Sequence, residues 1–304
     1  MFKKFLSVLV LGAFVLAGCD SRHECKPEID PAVRTVTLNN GVKMPVLGFG
    51  TWQLTGEFGY VAIMFAIQNG YRHIDTASVY NNEVEVGRAM RDSGIPRSEF
   101  FITSKVALNA KTYAEAVASF EQTIMDLGTD YVDQYLIHWP GVRPLRDTGD
   151  NFRAENREVW RALEDIYKSG RARSIGVSNF SVADIRNIIE VATVKPMTNQ
   201  IKVHIGHVPW KQIRFGKKNG IVTVGYSSLG RGRVLESAVV QKIAEKYGVT
   251  PAQLAIRYSL QLGVVPLVKA ENPMHQIENR EVNFKISCED MKTLGELEIP
   301  SNNW

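Results

Sequence analysis

The chain of 304 residues carries a formal net charge of +4, and 44% of its residues are hydrophobic. Its length fits one large α/β domain or two medium-sized domains. The near balance of basic and acidic residues gives no electrostatic reason to expect a nucleic-acid partner, so we predict none.

Residues 1–18 have the pattern of an export signal. Two lysines precede an apolar run from Phe5 to Ala17, which is shorter than the roughly 20 residues of a membrane-spanning helix. The ending Ala17-Gly18-Cys19 resembles the lipobox of bacterial lipoproteins, and this resemblance implies a lipid anchor on Cys19. The following Asp20 indicates the periplasmic face of the inner membrane, and we expect no other membrane contact. The alternatives are a buried N-terminal helix and, if the leader is not functional, a cytoplasmic protein.

Residues 19–33 are polar and show no hydrophobic periodicity, so we predict a flexible tether.

If Cys19 carries the lipid, Cys25 and Cys288 are the two remaining cysteines of the chain. A disulfide between them would require an oxidising compartment and does not follow from the sequence. No spacing of Cys and His residues resembles a zinc site, so we predict no metal.

A hairpin and then a repeated strand–helix pattern occupy the rest of the chain, residues 34–304. The residues on both sides of Asn40-Gly41 alternate between apolar and polar, and Asn-Gly between two such runs is a strong signal for a tight β-hairpin. Strand-like runs near residues 46, 72, 101, 133, 173, 198, 222 and 264 then alternate with amphipathic helical stretches. Eight such units predict a (β/α)8 barrel whose N-terminal hairpin closes the bottom. A doubly wound sheet is the competing fold, but the first strand lacks the expected G-x-G-x-x-G sequence.

Polar side chains lie at the carboxyl ends of successive predicted strands. Asp75 ends the second strand, Lys105 the third and His138 the fourth, and Tyr80 follows in the loop after the second. Any one of them alone would be read as a turn, surface or core residue. Because the active site of such a barrel lies at this end of the strands, we expect all four to converge there.

These four side chains suit the reduction of a carbonyl group. An ammonium beside Tyr80 lowers the pKa of the phenol, and Asp75 offsets the cost of burying Lys105. His138 can donate a hydrogen bond to a carbonyl oxygen and orient it. The set contains no nucleophile and no metal, so the hydride must come from a cofactor.

Five segments of the chain resemble the aldo-keto reductase family, in that family's order: GYRHIDTASVYNNEVEVG, ITSKV, DLGTDYVDQYLIHWP, GRARSIGVSNF and VGYSSLG. The resemblance covers roughly residues 34–295. It implies a (β/α)8 barrel that uses NAD(P)H to reduce aldehydes or ketones of small molecules, as an alcohol dehydrogenase (NADP+) type enzyme does. It also implies Tyr80 as the proton donor, Lys105 as the cation beside it, Asp75 as the partner of Lys105 and His138 as the carbonyl orienter.

The same resemblance implies the residues that bind the cofactor. These are Gly50, Thr51, Ser178, Asn179, Gln200, Tyr226, Ser227, Leu229, Lys269, Glu278 and Asn279. The family usually prefers NADPH and has a serine and an arginine near its 2′-phosphate. Here Ala270 and His275 occupy those positions, so NADH or dual use stays open.

The substrate pocket is expected to be apolar and permissive. Trp52, His138 and Trp139 are its predicted substrate-binding residues, and Ala107 replaces a large aromatic residue of many relatives. We expect a monomer.

Two other functions remain alternatives, namely a cofactor-binding module without turnover and a lipid-anchored protein whose barrel is only a scaffold.

Overall fold

Eight parallel strands close into a barrel in the computed structural model, which describes residues 29–141 and 152–299. Along the barrel each strand pairs with the next in the sequence, and the last pairs with the first. The predicted barrel is therefore confirmed, and the doubly wound alternative is wrong. The barrel strands are β3 (Gly48–Gly50), β4 (His73–Asp75), β5 (Phe101–Lys105), β6 (Gln134–Ile137), β7 (Ile175–Ser178), β8 (Thr198–Lys202), β9 (Val222–Tyr226) and β10 (Val264–Val268).

Helices surround the barrel and cover the outer faces of its strands. Within the described residues they are α1 (Gly56–Gln68), α2 (Glu83–Asp92), α3 (Tyr113–Leu127), α4 (Arg153–Lys168), α5 (Val182–Ile189), α6 (Trp210–Asn219), α7 (Arg233–Glu236), α8 (Ala238–Tyr247), α9 (Pro251–Gln261), α10 (Pro273–Glu278) and α11 (Cys288–Gly295). In the part of the chain that the structure describes, none of these helices has both the length and the apolar character needed to cross a membrane.

Local sequence sets the limits of several of these helices. Thr112 caps the start of α3, because its side chain accepts from the backbone of Glu115 while the Glu115 carboxylate accepts in return. Gly128 ends the same helix in the left-handed conformation that favours glycine. Thr250 and Pro251 give α9 a capping box followed by a proline in the first turn. These helix ends follow from short-range chemistry.

The N-terminal hairpin covers the amino ends of the barrel strands. Its strands, β1 (Thr35–Thr37) and β2 (Lys43–Pro45), are antiparallel, and Gly41 adopts a φ of 88° in the turn. The Asn40 amide donates to the carbonyl oxygen of Arg173 at 2.9 Å, just before β7. The Asn39 amide donates to the carbonyl oxygen of Pro196, just before β8. These two bonds hold the hairpin across the bottom of the barrel, as predicted.

The chain is already packed on the barrel at its first described residue. Ile29 is buried, and its backbone N–H donates to the carbonyl oxygen of Leu260 in α9. A short 3-10 turn, Pro31–Val33, follows it. The leader, Cys19, Cys25 and the first part of the predicted tether lie outside the described residues. The domain boundaries therefore stay predictions.

A histidine lies in the barrel interior below the strand ends. His73 on β4 is fully buried, and its Nε2 lies 3.0 Å from the hydroxyl oxygen of Thr103 on β5. Burial, and to a smaller extent the positive charge of Lys105, lowers the pKa of His73 to about 3. His73 therefore stays neutral in the folded protein.

This buried imidazole is expected to make stability fall in mild acid. The unfolded chain takes up a proton on His73 below a pKa of about 6.5, whereas the folded chain does not until about 3. Between these values the unfolded state binds more protons, so stability rises with pH and is lost on acidification. The loss from His73 alone should be about 2 kcal/mol between about pH 6.5 and about pH 5.

Urea unfolding at several pH values measures this dependence in the wild type and in His73→Gln. The wild type should lose more stability on acidification than His73→Gln does. His275→Gln serves as the control, because it removes a histidine from an exposed position instead of a buried one. Equal pH dependences for the wild type and His73→Gln would contradict the prediction.

Candidate active site

The carboxyl ends of the eight barrel strands surround a cavity of about 680 Å³. Each strand, or the loop that follows it, contributes at least one residue to the wall. Many of the predicted site residues are among them: Gly50, Trp52, Asp75, Tyr80, His138, Trp139, Ser178, Asn179, Gln200, Tyr226, Ser227, Leu229 and Lys269. The barrel thus brings together side chains that lie up to about 220 residues apart in the sequence, as expected for strand ends that share one face.

Lys105, Asp75 and Tyr80 form a connected group at the bottom of this cavity. The Lys105 ammonium donates to the Asp75 carboxylate at 2.7 Å and to the Thr76 carbonyl oxygen at 2.8 Å. It lies 3.4 Å from the Tyr80 hydroxyl. Lys105 has no exposed side-chain surface and Asp75 only 4%. Removing an ion pair from water to this degree costs free energy. Here the short hydrogen bonds of the Lys105 ammonium and the Asp75 carboxylate offset that cost.

The pKa values of this group follow from burial and from the ion pair. Burial alone would lower the pKa of Lys105, but Asp75 and Tyr80 outweigh it and raise that pKa, so the ammonium stays charged. Burial raises the pKa of Asp75, and Lys105 and Gln200 oppose the shift. Burial also raises the pKa of Tyr80, against the lowering effect of Lys105. The effect of Lys105 has the predicted direction, yet the net shift is upward, so the Tyr80 hydroxyl keeps its proton at neutral pH.

His138 lies beside Tyr80 at the wall of the cavity. The two rings meet edge to face with centroids 5.8 Å apart. Trp139, the next residue, and Trp52, from the loop after β3, supply large aromatic surfaces to the same cavity. The guanidinium of Arg231 lies over the Trp52 ring, 5.0 Å from its centroid, and joins the loops after β3 and β9. This part of the cavity wall therefore combines large aromatic surfaces with two polar groups, the Tyr80 hydroxyl and the His138 imidazole.

A second set of polar side chains, from β7, β8 and β9, lines the adjoining part of the wall. The Tyr226 hydroxyl donates to the Asn179 side-chain oxygen at 2.7 Å, and the Asn179 amide donates to the carbonyl oxygen of His138. Ser178 donates to the backbone oxygen of Gln200. The Gln200 amide donates to the Asp75 carboxylate at 2.6 Å. This last bond connects the second set directly to the buried ion pair.

Backbone strain is concentrated at the cavity. Four non-glycine residues of its wall have positive φ angles, Gln53 (71°), Asn179 (63°), Ser227 (55°) and Arg231 (57°). Such conformations cost about 1–3 kcal/mol each and persist where the surrounding structure imposes them. Their location supports a functional role for this face of the barrel.

Several predicted residues lie away from the cavity wall. Thr51 is fully buried, and its hydroxyl donates to the Asp75 carbonyl oxygen at 2.9 Å. Lys105 lies behind Asp75 and Tyr80. Glu278 and Asn279 lie at the end of α10, where Asn279 is buried. The predicted roles of Thr51, Glu278 and Asn279 in cofactor binding stay predictions.

The structure adds residues that the sequence did not single out. Val79, Leu108, Leu235 and Leu267 line the cavity with apolar surface, and Gln53, Gly232 and Val268 also contribute to the wall. In the loop after β5, Leu108 forms the wall, whereas Ala107 was expected to open it. Apolar loop residues carry no pattern that marks them as pocket residues, so their role depends on how the loops fold. Within the described residues, no three His, Cys, Asp or Glu side chains are grouped as metal ligands would be.

Comparisons with known proteins point to one family. A family model described as the aldo/keto reductase family matches residues 46–299. A glyoxal reductase of Bacillus subtilis is 41% identical over 266 residues, which cover 86% of this chain and 92% of that protein. A crystal structure of an aldo/keto reductase from Brucella melitensis is similar with a TM-score of 0.80 and 36% identity, covering 86% of this chain and 98% of that one. An aldo-keto reductase of Bombyx mori in complex with NADP has a TM-score of 0.79 and 28% identity, over 86% of this chain and 92% of that one.

Proposed function

The chain belongs to the aldo/keto reductase family, and from this premise we propose that it reduces aldehyde or ketone groups of small molecules to alcohols with NAD(P)H. One observation carries the proposal. A protonated tyrosine, Tyr80, contacts a buried ammonium, Lys105, at the base of a cavity with aromatic walls. This is the arrangement needed to protonate a carbonyl oxygen in a site with little water.

The cavity wall suits a nicotinamide cofactor. The amide and hydroxyl groups of Ser178, Asn179 and Gln200 can bind a carboxamide, and the flat ring of Tyr226 lies beside them. Arg231 and Lys269 provide positive charge farther along the same wall for phosphate groups. When bound, the reduced cofactor supplies the hydride.

The protein side chains would supply the proton and the orientation. His138 donates a hydrogen bond to the substrate carbonyl oxygen and directs it to the Tyr80 hydroxyl. Tyr80 transfers its proton to that oxygen as negative charge develops there. The Lys105 ammonium stabilises the phenolate that remains, and Asp75 holds Lys105 in place.

We propose small, mainly apolar aldehydes and dicarbonyl compounds as the substrates. Trp52, Val79, Leu108 and Trp139 give the cavity apolar walls, and no acidic side chain other than the paired Asp75 is found among its wall residues within the described chain. The similar Bacillus subtilis protein is a glyoxal reductase. Glyoxal is therefore the first compound to test, with a simple aromatic aldehyde as a larger comparison.

The experiment follows NADPH and NADH oxidation by the protein that lacks residues 1–18. Oxidation that depends on glyoxal or on the aromatic aldehyde is the expected result. Cofactor binding without turnover across a broad aldehyde panel would instead favour a cofactor-binding module. Absence of both binding and turnover in the folded protein would leave only the scaffold hypothesis.

For the cofactor, we propose use of both NADPH and NADH. The segment after β10 contains Ala270 and His275 where the family commonly has a serine and an arginine. Lys269 is paired with the Glu271 carboxylate at 3.1 Å and lies 3.4 Å from the Gln53 side-chain oxygen. A carboxylate next to the one lysine of this segment disfavours an additional phosphate, since like charges repel.

His275→Arg is accordingly expected to tighten NADPH binding by about 10-fold or more, because an arginine can form a charge-assisted hydrogen bond with a phosphate. Fluorescence titration gives the dissociation constants of NADPH and NADH. Met274→Arg is the matched control, since it adds the same charge at the exposed neighbouring position of α10. The prediction is wrong if both variants improve NADPH and NADH binding equally, because that result would reflect net charge alone.

We also propose that residues 1–18 direct export and that Cys19 carries a lipid on the periplasmic face of the inner membrane. The leader pattern supports this, and so does Cys288, which is disulfide-bonded, as is typical of proteins in oxidising compartments. If Cys19 carries the lipid, Cys25 is the other cysteine available to Cys288. Membrane fractionation with mass spectrometry of the mature N-terminus and of the Cys288 peptide tests the proposal. An intact Met1 on a soluble protein with a free Cys288 thiol would favour the cytoplasmic alternative.

A further inference from the structure

A buried asparagine lies two residues after Tyr80. Asn82 is 1% exposed and stands at the residue that precedes the first turn of α2. Asparagine at this position commonly accepts a hydrogen bond from the first turn of its own helix. The Asn82 side chain makes no such bond. Its polar atoms point away from the helix, toward the loops at the carboxyl ends of the barrel strands.

The side chain of Asn82 joins the loops after β3 and β4. Its amide donates to the carbonyl oxygens of Thr51 and Leu54, at 2.7 Å and 2.8 Å. Its oxygen accepts from the Thr76 hydroxyl at 2.7 Å. Both amide hydrogens are thus used, and the two carbonyl groups they reach are at the two ends of the short loop that carries Trp52. Replacement by a residue without an amide would remove this donor from the Leu54 carbonyl oxygen and would leave the Thr51 carbonyl oxygen only the backbone N–H of Leu54.

Both loops also bind the members of the buried ion pair. The Thr51 hydroxyl and backbone N–H donate to the Asp75 carbonyl oxygen. The Thr76 carbonyl oxygen accepts from the Lys105 ammonium. Asn82 therefore connects through one neighbour to Asp75 and through another to Lys105, while the chain leads directly from it to Tyr80 by way of Asn81, which has a φ of 53°.

We infer that Asn82 is a positioning residue. It fixes the position of the Tyr80 hydroxyl relative to the Lys105 ammonium and to the loop that carries Trp52. The inference rests on the proposed reductase function for its kinetic test. Loss of the Asn82 amide should let the loops and the Tyr80 segment move relative to the barrel. A displacement of about 1 Å at a reacting group can lower a rate by about 100-fold.

Asn82→Ala should lower kcat for aldehyde reduction about 10- to 100-fold, with a much smaller change in KM. The alkaline limb of the pH–kcat profile should move to higher pH, because a Tyr80 hydroxyl farther from Lys105 loses the charge that favours its phenolate. Asn187→Ala is the matched control. Asn187 on α5 is also 1% exposed, and its side chain accepts from Arg157 and donates to the Arg153 carbonyl oxygen far from the cavity. Its loss should lower the melting temperature and leave the pH profile in place.

Thr76→Val gives a milder test if Asn82→Ala folds poorly. It removes only the hydroxyl that Asn82 accepts from, and it should lower kcat with the same direction of pH shift. Hydrogen exchange measured by mass spectrometry gives a readout without activity, and protection should fall in residues 51–54 and 76–82 in either variant but not in Asn187→Ala.

The inference is overturned if Asn82→Ala and Thr76→Val keep the wild-type pH profile and kcat, or if exchange in these loops does not change. A wild-type protein that fails to reduce any aldehyde would instead count against the proposed function, and the exchange measurement would still decide whether Asn82 holds the loops together.

Discussion

Tyr80→Phe is expected to lower kcat for aldehyde reduction by about 10²–10⁴-fold, the usual contribution of a general acid. The substitution removes one hydroxyl and leaves the ring that packs beside His138. No other hydroxyl among the described residues lies within hydrogen-bond distance of the Lys105 ammonium. Stopped-flow or steady-state oxidation of NADPH measures the loss, and fluorescence titration should show that cofactor binding is retained.

The matched control for this substitution is Tyr60→Phe. The Tyr60 hydroxyl on α1 also takes part in a hydrogen bond, with the Asp92 carboxylate at 2.9 Å, but on the outside of the barrel. Tyr60→Phe should leave kcat within about twofold of the wild type. A Tyr80→Phe variant that retained more than about a tenth of the wild-type kcat would show that another group donates the proton.

Lys105→Met is expected to remove most activity and to destabilise the fold by about 3–5 kcal/mol, because it leaves the Asp75 carboxylate buried without its counter-ion. Asp75 has only 4% of its side chain exposed, so water cannot replace the ammonium at 2.7 Å. The activity is lost for a separate reason, since no positive charge remains beside Tyr80. Urea unfolding gives the stability, and the aldehyde assay gives the rate.

A double variant separates these two effects. Lys105→Met with Asp75→Asn removes both charges, so it should recover a large part of the stability and none of the activity. Arg161→Met is the surface control. Its ion pair with Glu158 is exposed at 60% and 47%, and its loss should cost less than about 1 kcal/mol. If Lys105→Met were as stable as Arg161→Met, the buried pair would contribute nothing to stability and the argument from burial would be wrong.

Much of the fold could be predicted because the signals are local. The alternation of apolar strand-like runs with amphipathic helices depends on periodicities of two and of 3.6 residues. The turn at Asn40-Gly41 and the capping residue Thr112 are likewise set by chemistry within a few residues. Asp75, Lys105 and His138 stood out because each ends a predicted strand, and a parallel barrel places all strand ends on one face. In the structure Asp75 and Lys105 end β4 and β5, and His138 directly follows β6.

The sequence by itself therefore determined the order of strands and helices, the barrel, the family and the polar residues at the strand ends. Only the tertiary structure decided which of these residues touch. The Gln200 amide meets the Asp75 carboxylate across 125 positions of the chain. The net pKa shift of Tyr80 depends on how deeply the closed barrel buries it.

The role of Asn82 shows the same limit. No pattern in the sequence singles out Asn82, because only the folded loops supply the three partners of its side chain. The physical reason is that periodicity and capping act over a few residues, whereas burial and contact between distant segments exist only after the barrel has closed.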